Sequence, residues 1–363
     1  MRVIISGGGT GGHIYPALAI AEGLRQRVDA NILYVGTAQG LESQVVPQRG
    51  WRFQTLKAGA LDRSSPIKAL KSVIGVPSSL RSARQLIERF RPDLILGTGG
   101  YVSFPVLMAG ACSGIKTAIH EQNAVPGIAN RILAPRVDLV MLTFPEAADR
   151  MRCRQVEHTG LPVRPEILQA EATTARQRWG INAEDFVLLV FGGSLGAISI
   201  NRVMLGLLEF AKNDKMNILW VCGKNNYESL SQQVRVHLEK SGPLRLQLHP
   251  YIDRMEDALA VADLAICRAG ASTVSELQAL GVPAILVPYP YAAENHQFEN
   301  AVALVRRQAA ILIKDENLQA ASLYSQVKDL RSNPQQLKEL GDNIKKIGHP
   351  EALETIVELL IGL

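Results

Sequence analysis

Several clusters of glycine and polar residues in this sequence have the types and spacing that hold phosphate. The first is Gly7-Gly8-Gly9-Thr10-Gly11-Gly12-His13, and a related run, Gly192-Gly193-Ser194-Leu195-Gly196-Ala197, occurs about halfway along the chain. Such loops let backbone N–H groups crowd around an anion, and a helix that begins after the loop adds the positive end of its dipole. A further glycine run is Gly97-Thr98-Gly99-Gly100-Tyr101. The pattern predicts two αβ domains that serve one phosphate-bearing chemistry.

Other residues near these loops have side chains that move protons. His13 is placed where a helix should begin, and the helix dipole disfavours a charged imidazole there, which suits a neutral base. A capping or core histidine explains its position equally well. The run His120-Glu121-Gln122-Asn123 places four polar groups at the end of a predicted strand, which is more than a protein buries without partners.

The stretch from Tyr251 to Asn300 contains the clearest set of binding residues. Within Cys267-Arg268-Ala269-Gly270-Ala271-Ser272-Thr273-Val274-Ser275-Glu276, Ser272 is predicted to cap a helix on which Glu276 faces a ligand. A carboxylate at that point can accept two hydrogen bonds from a ribose diol. The alternative is a capping box made by Thr273 and Glu276, and spacing alone does not separate the two.

Two common classes of glycine-loop protein fit this sequence poorly. A dinucleotide-binding dehydrogenase needs an acid at the end of its second strand, but that strand reads Ile32-Leu33-Tyr34-Val35-Gly36-Thr37. A P-loop needs Lys and then Ser or Thr after its last glycine, where this chain has His13-Ile14. A purely structural turn stays open as an alternative.

Strand-like and helical patterns alternate along the chain, which predicts an α/β fold with parallel sheets. A break at Gly160-Leu161-Pro162-Val163-Arg164-Pro165 predicts a hinge between two domains, and 350–361 reads as an amphipathic helix. The predicted strands are 2–6, 31–35, 93–96, 117–120, 137–142, 186–191, 217–222, 263–267 and 284–287.

Composition limits the partners. The chain has 363 residues, of which 47% are apolar, enough for two cores. Its four cysteines form no ligand cluster, so we expect reduced thiols and no metal site. No apolar run approaches the roughly 20 residues that span a bilayer.

Residues 1–164 carry 20 Lys and Arg against 11 Asp and Glu, a net charge of +9, and the rest carries −4. The basic half predicts an acidic partner, and no recognisable module points to nucleic acid.

The whole chain resembles the bacterial MurG family, the UDP-N-acetylglucosamine transferases that convert lipid I to lipid II in peptidoglycan synthesis. The resemblance rests on motifs that span both halves in order. They are Gly8-Gly9-Thr10-Gly11-Gly12-His13, Gly99-Gly100-Tyr101-Val102-Ser103, His120-Glu121-Gln122-Asn123, Pro162-Val163-Arg164, Gly192-Gly193-Ser194, and Arg268-Ala269-Gly270 with Thr273-Val274-Ser275-Glu276.

The resemblance implies a GT-B fold, with two Rossmann-like domains whose parallel sheets face a central cleft. It implies an acceptor and membrane-association domain at 1–163, a UDP-sugar donor domain at 164–345, and a C-terminal helix within 346–363 that packs back on the first domain. It implies no cofactor.

The resemblance also implies site residues. Ile252 would meet the uracil, Glu276 the ribose, Ser194 and Arg164 the diphosphate, and Asn123 and Gln297 the sugar. Ser272 departs from relatives with leucine there, and the segment before Gln297 varies in length. The full donor set is Thr10, Gly11, Gly12, Asn123, Arg164, Ser194, Ile252, Arg268, Ala271, Ser272, Thr273, Val274, Ser275, Glu276 and Gln297, and the acceptor set is Gly8, Gly9, Gly99, Gly100 and Tyr101.

For this family we expect a single in-line displacement with inversion, which needs a base for the acceptor 4-hydroxyl. His13 is the preferred base and Glu121 the competitor. No Asp-x-Asp pair occurs in the chain, so we expect the diphosphate to be held by Arg164, the Ser194 loop and helix N-termini rather than by a metal.

Membrane attachment is expected from the segment between Pro66 and Arg91. It interleaves apolar residues (Ile67, Leu70, Val73, Ile74, Val76, Leu80, Leu86, Phe90) with cations (Lys68, Lys71, Arg81, Arg84, Arg89, Arg91). This suits a peripheral protein on the anionic cytoplasmic face of the bacterial plasma membrane, with cell-wall synthesis and division proteins as neighbours. An ordinary amphipathic helix with its apolar side inward is the alternative. Alternatives for function are a glycolipid synthase and a nucleotide-sugar-binding protein without catalysis.

Overall fold

The chain folds into two compact units, each built on one parallel sheet. The computed structural model describes residues 1–56, 76–193, 196–238 and 242–363. The N-terminal unit comprises residues 1–162 and 349–363, and the C-terminal unit comprises residues 163–348. The division after Pro162 lies inside the glycine- and proline-rich segment of residues 160–165. Each unit belongs to the α/β class.

The N-terminal unit has a seven-stranded sheet in the order β3-β2-β1-β4-β5-β6-β7, in which every neighbouring pair is parallel. Its strands are β1 (Arg2–Gly7), β2 (Asn31–Gly36), β3 (Phe53–Thr55), β4 (Leu94–Gly99), β5 (Lys116–Glu121), β6 (Leu139–Leu142) and β7 (Gln155–His158). The helices that connect them are α1 (Gly11–Val28), α2 (Glu42–Gln48), α3 (Val76–Phe90), α4 (Ser103–Cys112) and α5 (Ile128–Leu133).

The C-terminal unit has a six-stranded parallel sheet in the order β10-β9-β8-β11-β12-β13. Its strands are β8 (Val187–Phe191), β9 (Asn217–Val221), β10 (Arg245–His249), β11 (Leu264–Cys267), β12 (Ala284–Leu286) and β13 (Ile311–Leu312). Its helices are α6 (Pro165–Leu168), α7 (Ala172–Trp179), α8 (Ile198–Ala211), α9 (Lys224–Leu238), α10 (Met255–Val261), α11 (Ala271–Leu280), α12 (His296–Val305), α13 (Ala320–Ser332) and α14 (Pro334–Lys346).

Both sheets are covered by helices on their two faces, which is why the central strands are apolar without alternation. In β1, Val3, Ile4 and Ile5 are all fully buried, and Val3 and Ile5 join a different core cluster from Ile4. The last helix, α15 (Ala352–Ile361), belongs to the N-terminal unit and packs on α1. Gly23 of α1 allows this contact, because a Cβ there would lie 2.8 Å from Val357 Cγ2.

Helix α3 covers part of the segment that was expected to bind membrane. Ala83, Ile87 and Phe90 are buried in the core of the N-terminal unit, whereas Arg81 and Arg84 are exposed. The prediction of Phe90 as a membrane anchor is therefore wrong, because helical periodicity turns it inward with Ile87. Residues 66–75 of the predicted segment lie outside the described residues. Within the described part of the chain, no helix is both long enough and apolar enough to cross a membrane.

Both sheets reverse their strand order at one point, and the glycine loops lie at these points. In the N-terminal unit, β1 pairs with β4, so the loops after Gly7 and Gly99 are neighbours, and β5 carries His120 and Glu121 to the same edge. In the C-terminal unit, β8 pairs with β11. Ligands of doubly wound sheets bind at such switch points, outside the carboxyl ends of the strands.

Candidate functional site

The two glycine loops of the N-terminal unit touch each other. Gly99 and Gly100 have φ angles of 105° and 83°, which favour glycine. A Cβ on Gly99 would lie 2.7 Å from Cε1 of the His13 imidazole, and a Cβ on Gly100 would lie 2.5 Å from the Gly8 carbonyl oxygen. Glycine at 99 therefore leaves room for the His13 imidazole, and glycine at 100 lets the backbones of the two loops approach each other.

The N–H groups of Gly8 and Gly9 are used inside the protein. Gly8 N–H donates to the Gly99 carbonyl at 3.3 Å, and Gly9 N–H donates to Oε2 of Glu42 at 3.0 Å. These two N–H groups are therefore already paired in this structure, and the acceptor-binding role of Gly8 and Gly9 stays a prediction. The N–H groups of Thr10, Gly11 and Gly12 remain suited to an anion, because the first turn of α1 leaves its N–H groups without intrahelical partners.

Glu42, the first residue of α2, is a buried carboxylate that sequence reasoning missed. Its Oε2 accepts from the N–H of Gly9, and its Oε1 accepts from the N–H and the hydroxyl of Thr37, at 2.9 and 2.7 Å. Burial opposes its ionisation, but the hydrogen bonds from Thr37 and Gly9 outweigh burial and hold the pKa of Glu42 below its ordinary value. The charged carboxylate of Glu42 thus holds the backbone of the first glycine loop in place through its hydrogen bond to Gly9.

Replacing Glu42 with glutamine should destabilise the N-terminal unit by about 1–3 kcal/mol, because one amide N–H₂ would face backbone or hydroxyl donors and leave them unpaired. Because the folded pKa is lowered, this stabilisation is present above the unfolded carboxyl value and lost as pH falls through the folded value. Urea unfolding of the wild type and Glu42→Gln at neutral and acidic pH measures both effects.

The exposed pair of Glu22 with Arg25 on α1 supplies a control, and Glu22→Gln should change stability by no more than about 1 kcal/mol. Equal stability of wild type and Glu42→Gln at neutral pH would contradict the role of this carboxylate.

His13 and the His120–Asn123 run meet at the end of β5. Nδ1 of His13 lies 2.9 Å from Oε1 of Gln122, and in the described structure its Nε2 has no hydrogen-bond partner. Glu121 is 1% exposed and accepts hydrogen bonds from the N–H groups of Asn123 and Gly127 and from Nδ2 of Asn130, at 2.7 to 3.1 Å. These donors engage both oxygens of Glu121 and shape the Asn123 loop, which favours His13 as the base, and the choice between the two residues stays a prediction.

In the C-terminal unit, the carboxylate expected to bind ribose pairs with the guanidinium expected to bind diphosphate. Nε of Arg164 lies 3.3 Å from Oε1 of Glu276 on α11. Burial raises the pKa of Glu276, the Arg164 charge partly offsets this effect, and the Glu256 carboxylate adds to it. The neighbouring arginine thus favours the ionised carboxylate, which is the form that accepts two hydrogen bonds from a diol.

Helix α11 begins at Ala271 after the N-cap Gly270, so the prediction of Ser272 as the cap is wrong. The capping box is absent too, since there is no side-chain cap and Glu276 instead pairs with Arg164. Ser272, Thr273 and Glu276 are partly accessible on one helix face, and Ala271 lies at the helix start. Val274 and Ser275 face inward, at 0% and 5% exposure, and their part in donor binding stays a prediction.

Arg268 is engaged by the protein rather than presented to a ligand. It donates to the carbonyls of Val287 and Pro288 at 3.0 and 3.1 Å, to Ser199 Oγ at 2.9 Å, and to the Asp315 carboxylate. These bonds tie the ends of β11 and β12 to the start of α8. The planar guanidinium of Arg268 is therefore already paired in this structure, and its role in donor binding stays a prediction.

The remaining predicted residues lie at the same edges. Oε1 of Gln297, on α12, accepts from the N–H of Tyr289 at 2.9 Å, which leaves its N–H₂ group as the donor. Ile252 is 8% exposed in the loop after β10, and Tyr101 is 47% exposed after β4. Ser194 lies outside the described residues. Among the residues that are described, no group of three His, Cys, Asp or Glu is arranged to hold a metal ion.

Comparison with known proteins agrees with this architecture. The chain matches the glycosyltransferase family 28 N-terminal domain at residues 3–142 and the C-terminal domain of the same family at residues 187–356. A protein of Moorella thermoacetica is 46% identical over 367 residues, covering 99% of this chain and 98% of the relative. A protein of Desulforamulus reducens is 45% identical, covering 99% and 97%. Both are named UDP-N-acetylglucosamine–N-acetylmuramyl-(pentapeptide) pyrophosphoryl-undecaprenol N-acetylglucosamine transferase.

Solved structures give the same result. The crystal structure of Acinetobacter baumannii MurG superposes with a TM-score of 0.85 at 28% identity, covering 100% of this chain and 99% of that one. A UDP-GlcNAc 2-epimerase from Neisseria meningitidis, bound to UDP-GlcNAc, has a TM-score of 0.69 at 14% identity and covers 100% of both chains. At that identity the second likeness shows the fold alone, and the fold is that of two Rossmann-like domains.

Proposed function

The chain belongs to glycosyltransferase family 28, in its MurG family, and on that premise we propose that it moves N-acetylglucosamine from UDP-N-acetylglucosamine to lipid I. The protein is thus a hexosyltransferase whose product is lipid II. The observation that carries the proposal is the 46% identity to a transferase of this name over 99% of the chain, which includes both switch points.

The C-terminal unit is proposed to bind the donor. Glu276 accepts from the ribose hydroxyls, and Arg164, its ionic partner, turns toward the diphosphate when the nucleotide is present. Gln297 offers its N–H₂ group to the sugar. The N-termini of α8 and α11 add backbone donors for the charge that develops on departing UDP.

The N-terminal unit is proposed to bind the acceptor. Nε2 of His13 takes the proton of the N-acetylmuramoyl 4-hydroxyl while that oxygen attacks the anomeric carbon. The bond from this carbon to the UDP oxygen breaks, and UDP leaves with its electron pair. The N–H groups of Thr10, Gly11 and Gly12 are suited to the acceptor diphosphate or the donor phosphate.

We also propose peripheral attachment to an anionic membrane surface. The N-terminal unit carries 19 Lys and Arg against 14 Asp and Glu, a net charge of +5, whereas the C-terminal unit carries 20 of each. Exposed Arg81 and Arg84 of α3 are part of that excess. Replacing both with glutamine should weaken the free energy of binding to phosphatidylglycerol vesicles, measured by cosedimentation, by about 1 kcal/mol for each charge removed. The low binding to phosphatidylcholine vesicles should not change. Binding that ignores anionic lipid content would contradict this attachment.

Acceptor-dependent UDP release tests the proposed reaction. Purified protein is given UDP-N-acetylglucosamine with a lipid I analogue, with diacylglycerol, or with no acceptor. Release only with the lipid I analogue is expected. Release only with diacylglycerol would assign the protein to glycolipid synthesis, and UDP-sugar binding without release would favour a binding protein.

A further inference from the structure

A hydrogen-bonded chain leads from the His13 imidazole into the buried interior of the N-terminal unit. Nδ1 of His13 meets Oε1 of Gln122 at 2.9 Å, Nε2 of Gln122 meets Nδ1 of His120 at 3.1 Å, and Nε2 of His120 meets the Gly160 carbonyl oxygen at 2.9 Å. Gln122 is 1% exposed and His120 is fully buried. The chain therefore runs from the candidate base to a backbone group through two enclosed side chains.

The donor and acceptor of every hydrogen bond in this series follow from the last acceptor, the Gly160 carbonyl oxygen. A carbonyl oxygen only accepts, so Nε2 of His120 carries the hydrogen and donates to Gly160. A neutral His120 then has its lone pair on Nδ1, which accepts from the amide N–H₂ of Gln122. Burial lowers the pKa of His120 to about 4, which keeps this ring neutral at physiological pH.

The amide of Gln122 has only one orientation that satisfies its neighbours. Its second N–H donates to the backbone carbonyl of His120 at 2.8 Å, so a flipped amide would place oxygen against two acceptors. Oε1 therefore faces His13, and Nδ1 of His13 must be the donor. The lone pair of a neutral His13 is left on Nε2, the nitrogen without a partner in the described residues.

We propose that Gln122, oriented by His120 and the Gly160 carbonyl, is a positioning residue that sets the tautomer and ring orientation of His13. This inference rests on the proposed function, in which Nε2 of His13 takes the acceptor proton. Gly99 supports the same orientation, since the ring packs where a Cβ would lie 2.8 Å from Nδ1. Unlike the carboxylate of a Ser-His-Asp triad, the amide orients the imidazole without adding a negative charge beside it.

The tautomers of His13 and His120 can be measured by NMR on protein labelled with ¹⁵N-histidine, with the His13 signals identified by their loss in His13→Ala. We expect His13 as the Nδ1–H tautomer and His120 as the Nε2–H tautomer in the wild type. A His13 ring protonated on Nε2 would overturn the proposal. This spectrum needs no turnover, so it tests the chain of bonds even if no acceptor supports UDP release.

Gln122→Met keeps the length of the side chain and removes both of its polar groups. We expect His13 to lose its single tautomer and kcat to fall by about 10- to 100-fold, a part of the contribution of a general base, while the KM for UDP-N-acetylglucosamine stays unchanged. Thr143→Val is the matched control, because the Thr143 hydroxyl is buried and without a partner among the described residues. A Gln122→Met protein with the wild-type His13 tautomer or wild-type kcat would contradict the positioning role.

Discussion

We expect the His13→Ala variant to lose about 10²- to 10⁴-fold in kcat, the usual contribution of a positioned general base, with no change in its dissociation constant for UDP. The reason is that His13 lies on the N-terminal unit, where its Nε2 has no partner among the described residues, whereas Glu276 and Arg164, which are proposed to hold the ribose and the diphosphate of UDP, belong to the C-terminal unit. Steady-state UDP release and calorimetric UDP binding measure the two quantities separately.

His237→Ala is the matched control for His13, because His237 is a histidine of the C-terminal unit that pairs with Glu209 and has no proposed role in transfer. Added imidazole should restore part of the turnover of His13→Ala, and the restored rate should follow the concentration of unprotonated imidazole. Unchanged turnover in His13→Ala would remove this residue from the mechanism.

The Glu276→Gln variant should bind UDP about 10- to 150-fold more weakly, since hydrogen bonds to a charged group contribute about 1.5–3 kcal/mol. A thermodynamic cycle that compares UDP with 2′-deoxy-UDP in both proteins makes the test specific to the ribose. The wild type should prefer UDP over 2′-deoxy-UDP, and Glu276→Gln should have lost most of that preference, because the carboxylate and the 2′-hydroxyl act as a pair. The same preference in both proteins would contradict the ribose role of Glu276.

The pH dependence of nucleoside binding follows from the raised pKa of Glu276. Burial raises this pKa, Arg164 opposes the rise, and Glu256 adds to it. Uridine, which lacks phosphates, should therefore bind best above the pKa of Glu276 and lose affinity as the carboxyl is protonated. Arg164→Gln should move this loss to higher pH, because the cation that stabilises the carboxylate is gone.

The central strands of both sheets could be predicted from sequence, and the edge strands could not. Every strand predicted from an apolar run is present, whereas β3, β7, β10 and β13 were missed, and these four are the outer strands of the two sheets. Their residues are half-buried or exposed, with no fully buried position. An edge strand has a neighbouring strand on one side only, so fewer of its residues are buried and its apolar pattern is weaker. Local sequence therefore does not distinguish these strands from loops.

The location of the candidate site could be predicted because glycine runs at strand ends mark switch points. Which residues of these loops face a ligand could not be predicted from the sequence. The family resemblance places Arg268 in the donor-binding set, but its partners Ser199 and Asp315 come from distant parts of the chain. Glu42 was missed, and Gln122 was named only as a member of the polar run 120–123. Their partners Gly9 and His13 are distant in sequence and come close only when β1 lies in one sheet with β2 and β5.

The configuration of the new glycosidic bond tests the central claim, transfer of the sugar by a single in-line displacement, most directly. UDP-N-acetylglucosamine carries its sugar in the α configuration, so one in-line displacement must give a β-linked disaccharide. NMR of the product formed with a lipid I analogue should show the β anomer. An α-linked product would contradict the account, because retention needs a second displacement or another path for which His13 is not the required base.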